Sequence, residues 1–183
     1  MKTVSFTRMD EGTADDYRLL AEIEAVELAA FPERVLGWLR SMDEPTGYRI
    51  TRLEHSLQSA TRAQRDGRAA EYVLMCLLHD IGDVLAPANH SEAAAALLRP
   101  YISEDLYWIV RHHGLFQGFY YFHHTGQDPN GRDVYRDHPL FDATVEFCEL
   151  YDQNCFDPAY DTLPLTEFES LVRTGLAEPH GFV

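Results

Sequence analysis

Basic residues are scarce in this chain. Fifteen Lys and Arg stand against 30 Asp and Glu, a formal net charge of −15. Sequence-independent nucleic-acid binding needs clustered cations to displace counterions, so no nucleic-acid partner is expected. An anionic membrane surface is disfavoured for the same reason. Long apolar runs are missing: none approaches the roughly 20 residues that span a bilayer. The opening MKTVSFTRMDEG lacks the apolar stretch of a secretory signal. Cysteine is rare. Cys76, Cys148 and Cys155 form no framework and no ligand-spaced pair, which points to reduced thiols and a cytoplasmic location. Period-2 runs of β-branched residues are nearly absent, so strands are not expected. What remains is 183 residues, 45% hydrophobic and 25% charged, without repeats or long linkers. That is one ordinary domain, large enough to bury a core without disulfides.

Helical signals fill the chain. Thr13 is placed to cap a helix with Asp15 and Asp16 in its first turn and Leu19, Leu20, Ile23 and Val26 as an apolar stripe. A short helix follows Pro32, carrying Val35, Leu36, Trp38 and Leu39, and Asp43–Gly47 reads as a turn. A helix is predicted from Tyr48 to about Asp66, ended by Gly67. From about Ala70 to Leu78 the sequence AEYVLMCLL is apolar all round and reads as a buried helix. Asn89 and Ser103 are placed to cap the next two helices, with Pro100 between them and DPNGRD as a later loop. A helix from about Pro139 to Asp152 follows, and Thr166 with Glu169 fits a capping box for the last one. The fold class is all-α.

Nine histidines in an acidic chain are informative through their positions. His79-Asp80 ends the most apolar helix. A lone His-Asp dipeptide is a common accident, but both residues are costly to bury unless paired or bound to a metal. His55 lies among the apolar positions of the preceding helix. His90 opens the alanine-rich helix, His112-His113 sits within WIVRHHGLFQ, and Asp152 lies among core-type residues. Five predicted helices thus each carry an inward-capable His or Asp. Imidazole and carboxylate together suit Fe, Mn, Zn or Ni. Taken singly, each has an ordinary structural explanation. His123, His124 and His138 lie in polar stretches and suit solvent or substrate contact.

The order His55 … His79-Asp80 … Asp152, with His90 and His113 between, resembles the metal signature of the HD-domain superfamily over about Tyr48 to Asp157. The spacing of LEHSLQSA and LLHDIGD is similar to the mixed-valent diiron oxygenases of that superfamily, the hydroxyphosphonate-cleaving enzymes and myo-inositol oxygenase. The resemblance implies an all-α HD-domain helical bundle with a central dinuclear metal site. One domain spans 1–183, with an N-terminal lobe at 1–43, the HD core at 48–157 and a C-terminal helix and tail at 158–183. It implies two iron ions in the mixed-valent Fe(II)/Fe(III) state, with O2 as co-substrate. His55, His79, Asp80 and Asp152 would hold one iron, and Asp80 would bridge to a second held by His90 and His113. His113 is preferred to His112 from the preceding Ile109-Val110. The Gly-Tyr-Pro that follows the double histidine in the cyclic-dinucleotide phosphodiesterases is absent: His113-Gly114-Leu115-Phe116 stands there.

The substrate shell departs from these relatives at Asp83 and Gln117, where they carry basic residues. Arg62, Arg111, Arg132 and Arg52 are candidates to meet an anionic phosphonate. Asp83 beside the aromatic run Phe119–Phe122, with Tyr120 foremost, suits an organic ammonium group. The expected substrate is a small organophosphonate: a 1-hydroxy-aminoalkylphosphonate, with or without N-methyl groups, cleaved at its C–P bond to phosphate and a carboxylic acid. Two other readings fit the same residues: a metal-dependent phosphohydrolase acting on nucleotides or other phosphate esters, and a catalytically silent metal-binding module. Glu54 and Asp142 are expected to support the ligating imidazoles.

Overall fold

The computed structural model describes residues 2–180. It is all-helical, with no strand among the described residues. Eight α-helices follow one another: α1 Ala14–Ala29, α2 Phe31–Ser41, α3 Arg52–Arg65, α4 Ala70–Leu78, α5 His90–Leu98, α6 Glu104–Thr125, α7 Phe141–Phe147 and α8 Leu165–Gly175. α3 packs along α4 and α5 along α6, while a π-helical turn at Cys148–Asp152 lies against both α3 and α6.

Local chemistry explains most of the boundaries. α3 begins at Arg52, not Tyr48, because Thr51 and Glu54 form a reciprocal capping box. It ends before Gly67, whose φ of +72° is readily reached only by glycine, and the chain turns there into α4. α4 buries Val73 through Leu78, as its uniformly apolar sequence requires. The helix expected from Pro139 to Asp152 starts at Phe141 and finishes as the π turn. α8 packs Phe168 and Val172 into the core beside α2 and α4.

Several sequence expectations need correction. α1 has its Thr13–Asp16 capping box, but none of its residues is buried and Val26 is 69% exposed. Glu22, Glu24 and Glu27 are interspersed with the apolar residues and spread polarity around the helix, so the expected stripe has no distinct apolar face to bury. Asn89 and Ser103 occupy N-cap positions without a side-chain cap bond; the Ser103 amide donates instead to the Glu71 carboxylate. The capping box of Thr166 and Glu169 does not form. Pro164 starts α8 at Leu165, which moves Thr166 inside the helix, and Glu169 pairs with Arg40 and Arg173.

Candidate metal centre

Six side chains converge where α3, α4, α5, α6 and the π turn meet. His55 lies in the first turn of α3 and His79 directly follows α4. Asp80, with φ −101° and ψ 7°, breaks the α-helix and leads into a 3-10 turn at Ile81–Val84. That break lets adjacent residues serve one centre. His113 comes from α6, His90 opens α5, and Asp152 closes the π turn. A π turn adds a residue to the helical repeat and re-aims side chains, a device common at functional sites. Tyr151 anchors it. Its hydroxyl donates to Asp66 Oδ2 at 3.0 Å and accepts from Arg68 Nε at 2.8 Å, tying the turn to the α3–α4 connection.

Backbone carbonyls set the imidazole tautomers. His79 Nδ1 donates to the Cys76 carbonyl at 2.8 Å, and His113 Nδ1 donates to the Val110 carbonyl at 2.6 Å. His55 Nδ1 donates to the Cys155 carbonyl at 3.0 Å. A carbonyl can only accept, so each Nδ1 carries the proton and each neutral ring presents a bare lone pair at Nε2. Those lone pairs face other acceptors. His55 Nε2 is 3.1 Å from His79 Nε2, and Asp152 Oδ1 lies 3.4 Å from the first and 3.7 Å from the second. His113 Nε2 is 3.2 Å from Asp80 Oδ1. Asp152 Oδ2 is buried with no hydrogen-bond partner. Acceptors this close repel unless a cation stands among them. The donor set, nitrogen and carboxylate oxygen with the second nitrogen fixed by a carbonyl, fits a divalent transition metal.

The lone pairs gather into two groups, each with ligand atoms within 4.8 Å of one another: His55, His79 and Asp152, then His79, Asp80 and His113. His79 belongs to both. His90 stands at the edge, its Nε2 3.5 Å from Asp80 Oδ1 and 3.1 Å from Ser91 Oγ. The electrostatics follow this placement. Burial opposes ionisation of Asp152, yet His55 and His79, when protonated at Nε2, hold its pKa down at about 2 through hydrogen bonds and charge, the attraction that a bound cation would supply in their place. Asp80 is partly buried, which opposes its ionisation, but its pKa lies well below the usual carboxylate range beside His79, His113 and His55. Burial works against the charged forms of His55 and His79, but the facing carboxylates outweigh it and raise both. For His90 burial prevails and lowers it.

His112 points elsewhere. Adjacent helical residues diverge by roughly 100°, so only one of the pair can face the centre. His112 bonds the Trp108 carbonyl and stacks on the Trp108 ring at 4.0 Å. His138 stacks on the same ring at 4.0 Å, and His123 and His124 are exposed. The supporting acids expected from sequence are not at the site: Glu54 caps α3, and Asp142 is exposed in the first turn of α7. The supports are carbonyls, two of them three residues back on the histidine's own helix, a spacing that sequence alone could have suggested.

Over the centre lies a pocket of about 460 Å³. Five of the six convergent side chains, all but buried His79, line it together with Arg52, Asp83, Gln117, Tyr120, Tyr121, Tyr48 and Phe156. Gln117 donates its amide to Asp152 Oδ1 at 2.7 Å, so that nitrogen steadies the carboxylate. Asp83 faces the pocket, but its Oδ2 is taken by Arg52. Burial, first, and the charge of Asp80 raise its pKa despite Arg52. Arg62 is outside the pocket lining, contrary to expectation: it donates to the Asn154 carbonyl at 3.1 Å and lies over the Tyr160 ring. Arg111 pairs with Glu92 and Arg132 covers the Phe119 ring. Of the aromatic run, Tyr120 and Tyr121 reach the pocket. Tyr48 and Phe156 had no periodic signal to mark them; they lie on connections and are brought in by the turns around α3 and the π turn.

An all-helical bundle that gathers histidines and aspartates from five elements around one centre has the donor set of a candidate metal-binding site. Residues 52–153 match the HD domain family, more than half of the chain, and the protein belongs to that family. It is similar to the 1-hydroxy-2-(trimethylamino)ethylphosphonate dioxygenase (glycine-betaine-forming) of Leisingera caerulea, at 33% identity over 85 residues. The match covers 40% of this chain and 43% of that relative, so it spans less than half of the relative's length. No helix among the described residues is long and apolar enough to cross a membrane.

Proposed function

We propose that this protein is a non-haem diiron oxygenase that cleaves the C–P bond of a 1-hydroxy-aminoalkylphosphonate. The carrying observation is the pair of lone-pair clusters sharing His79 beneath a pocket with one cationic and several aromatic side chains. The phosphonate dioxygenase similarity supports it. His55, His79 and Asp152 would hold one iron, and Asp80, His113 and His90 the other, with Asp80 between them. Two irons supply the one-electron chemistry with dioxygen that imidazole and carboxylate lack. In the overall reaction R–CH(OH)–PO3(2−) and O2 give R–COO(−), HPO4(2−) and a proton, so one O2 provides both new oxygens.

The chain's own groups prepare that reaction. Cys76, Val110 and Cys155 carbonyls lock the imidazoles so that their Nε2 atoms aim at the centre. Gln117 fixes Asp152 in one orientation. Faces of Tyr48, Tyr121 and Phe156 suit an N-methylated ammonium head, which is attracted to aromatic faces and has few hydrogen bonds to lose. Asp83, neutralised by Arg52, adds less to that attraction than a free carboxylate would.

The test is turnover of iron-loaded protein with 1-hydroxy-2-(trimethylamino)ethylphosphonate. Equal consumption of oxygen and release of phosphate is the expected result, with none released anaerobically. Oxygen-independent release of phosphate from phosphate esters, with no oxygen uptake on the phosphonate, would assign the protein to the phosphohydrolases instead.

A further inference from the structure

The side chains at the centre attract cations, yet the proposed substrate carries a doubly charged oxyanion. Among the described residues lining the pocket, one side chain is permanently cationic, Arg52. The chain has a single lysine, Lys2, remote in sequence. Arg52 is the first residue of α3, and its Nη1 pairs with Asp83. The Asp83 side chain is 7% exposed and that of Arg52 is 42% exposed. A buried carboxylate therefore fixes a guanidinium at the pocket mouth, which reduces the ordering needed when an anion arrives. One partner leaves most of the five guanidinium donors uncommitted, in the planar fork that matches tetrahedral oxyanions.

The pocket is also polarised end to end. Asp83 Oδ1 lies 3.8 Å from His90 Nδ1, which places the Arg52–Asp83 pair at the His90 end. Phe156 stacks on His55 with ring centres 4.4 Å apart, and Tyr48 lies 4.9 Å from Phe156. The aromatic wall is therefore at the His55 end.

We propose that Arg52, braced by Asp83, docks the tetrahedral oxyanion of the substrate, while the Tyr48–Phe156 wall takes its organic cation. The pocket selects zwitterions by their two ends. The choice of phosphonate as the oxyanion rests on the function proposed above; the dock itself would serve a phosphate ester equally.

Binding calorimetry on metal-loaded protein separates these claims. The first probe is 2-(trimethylamino)ethylphosphonate, which lacks the hydroxyl that the reaction requires. The second is 3,3-dimethylbutylphosphonate, the uncharged isostere of its head. The third is phosphocholine, a phosphate ester with the same head. Arg52→Ala is expected to weaken all three by about tenfold or more, and Arg52→Lys by less, since a point charge replaces a fork. Tyr48→Ala is expected to weaken the two trimethylammonium probes several-fold and to leave the isostere unchanged. Metal content equal to the parent protein verifies that each variant is intact. Binding by Arg52→Ala within about twofold of the parent overturns the dock. An isostere that binds the parent as tightly as its cationic counterpart overturns the cation wall. Loss of binding in Arg52→Ala together with anaerobic hydrolysis of phosphocholine by the parent would keep the dock and remove the oxygenase reading.

Discussion

Asp80→Asn is expected to weaken metal binding in both halves of the centre. Its Oδ2 lies 3.6 Å from His55 Nε2 and 3.8 Å from His79 Nε2 on one side, and its Oδ1 lies 3.2 Å from His113 Nε2 and 3.5 Å from His90 Nε2 on the other. Asparagine keeps the side-chain volume, so the bundle should remain folded. Removing even an outer partner of a ligand typically costs 10–100-fold in metal affinity, and losing a shared ligand should exceed about 100-fold. His90→Ala provides the contrast. It leaves His55, His79 and Asp152 untouched, and one metal should survive. His112→Ala, which alters a ring stacked on Trp108 and facing away, should retain the full complement. Metal per chain after passage over a chelator distinguishes these outcomes, with circular dichroism to verify folding. Full retention by Asp80→Asn, or two metals in His90→Ala, would show that the shared-ligand geometry is wrong.

Gly82→Ala should damage the fold and the centre together. A Cβ there would meet the backbone of α5: the His90 carbonyl oxygen, with His90 C at 2.7 Å and Ala94 N at 2.9 Å. Backbone atoms cannot rotate away, so the 3-10 turn after Asp80 and the start of α5 must separate. Overpacking of this kind costs about 1–3 kcal/mol and sometimes more. For a chain of this size that lowers Tm by roughly 3–10 °C. The displaced element carries His90, so the metal that depends on His90 should bind more weakly even below the transition. Gly37→Ala is the control. It lies inside α2 with nothing near its Cβ direction, and alanine there should be neutral or stabilising by up to about 1 kcal/mol. Calorimetric melting with metal titration reads both effects. A Gly82→Ala protein that melts and binds like the parent would contradict the close approach of α5.

The sequence already exposed much of this architecture, for identifiable reasons. α4 was legible because nine consecutive residues, AEYVLMCLL, leave no polar face, and the structure buries six of them. The HD pattern was legible because chemistry-bearing residues fall on periodic helices, where spacing limits direction. The placement of Asp152 on a π turn was not legible, because the extra residue of that turn answers to tertiary contacts such as Tyr151 with Arg68 and Asp66. α1 shows the opposite failure. Its apolar residues suggested a buried stripe, but burial depends on a partner that the spacing of Leu19, Leu20, Ile23 and Val26 does not specify. Pocket residues were legible where they sit near the motif, as Asp83 and Gln117 do. Tyr48 and Phe156 lie on connections, whose path no local periodicity encodes. Arg62 and Arg52 occupy the same helix, and their roles separate only once the first-turn position of Arg52 brings it to Asp83.

The central claim is a coupled pair of irons held by these six residues. The most direct measurement is metal content per chain combined with electron paramagnetic resonance of the same iron-loaded, partly reduced sample. Two irons per chain with a coupled mixed-valence signal is the predicted result. A single bound metal, or two irons that show no coupled signal at any degree of reduction, would contradict it.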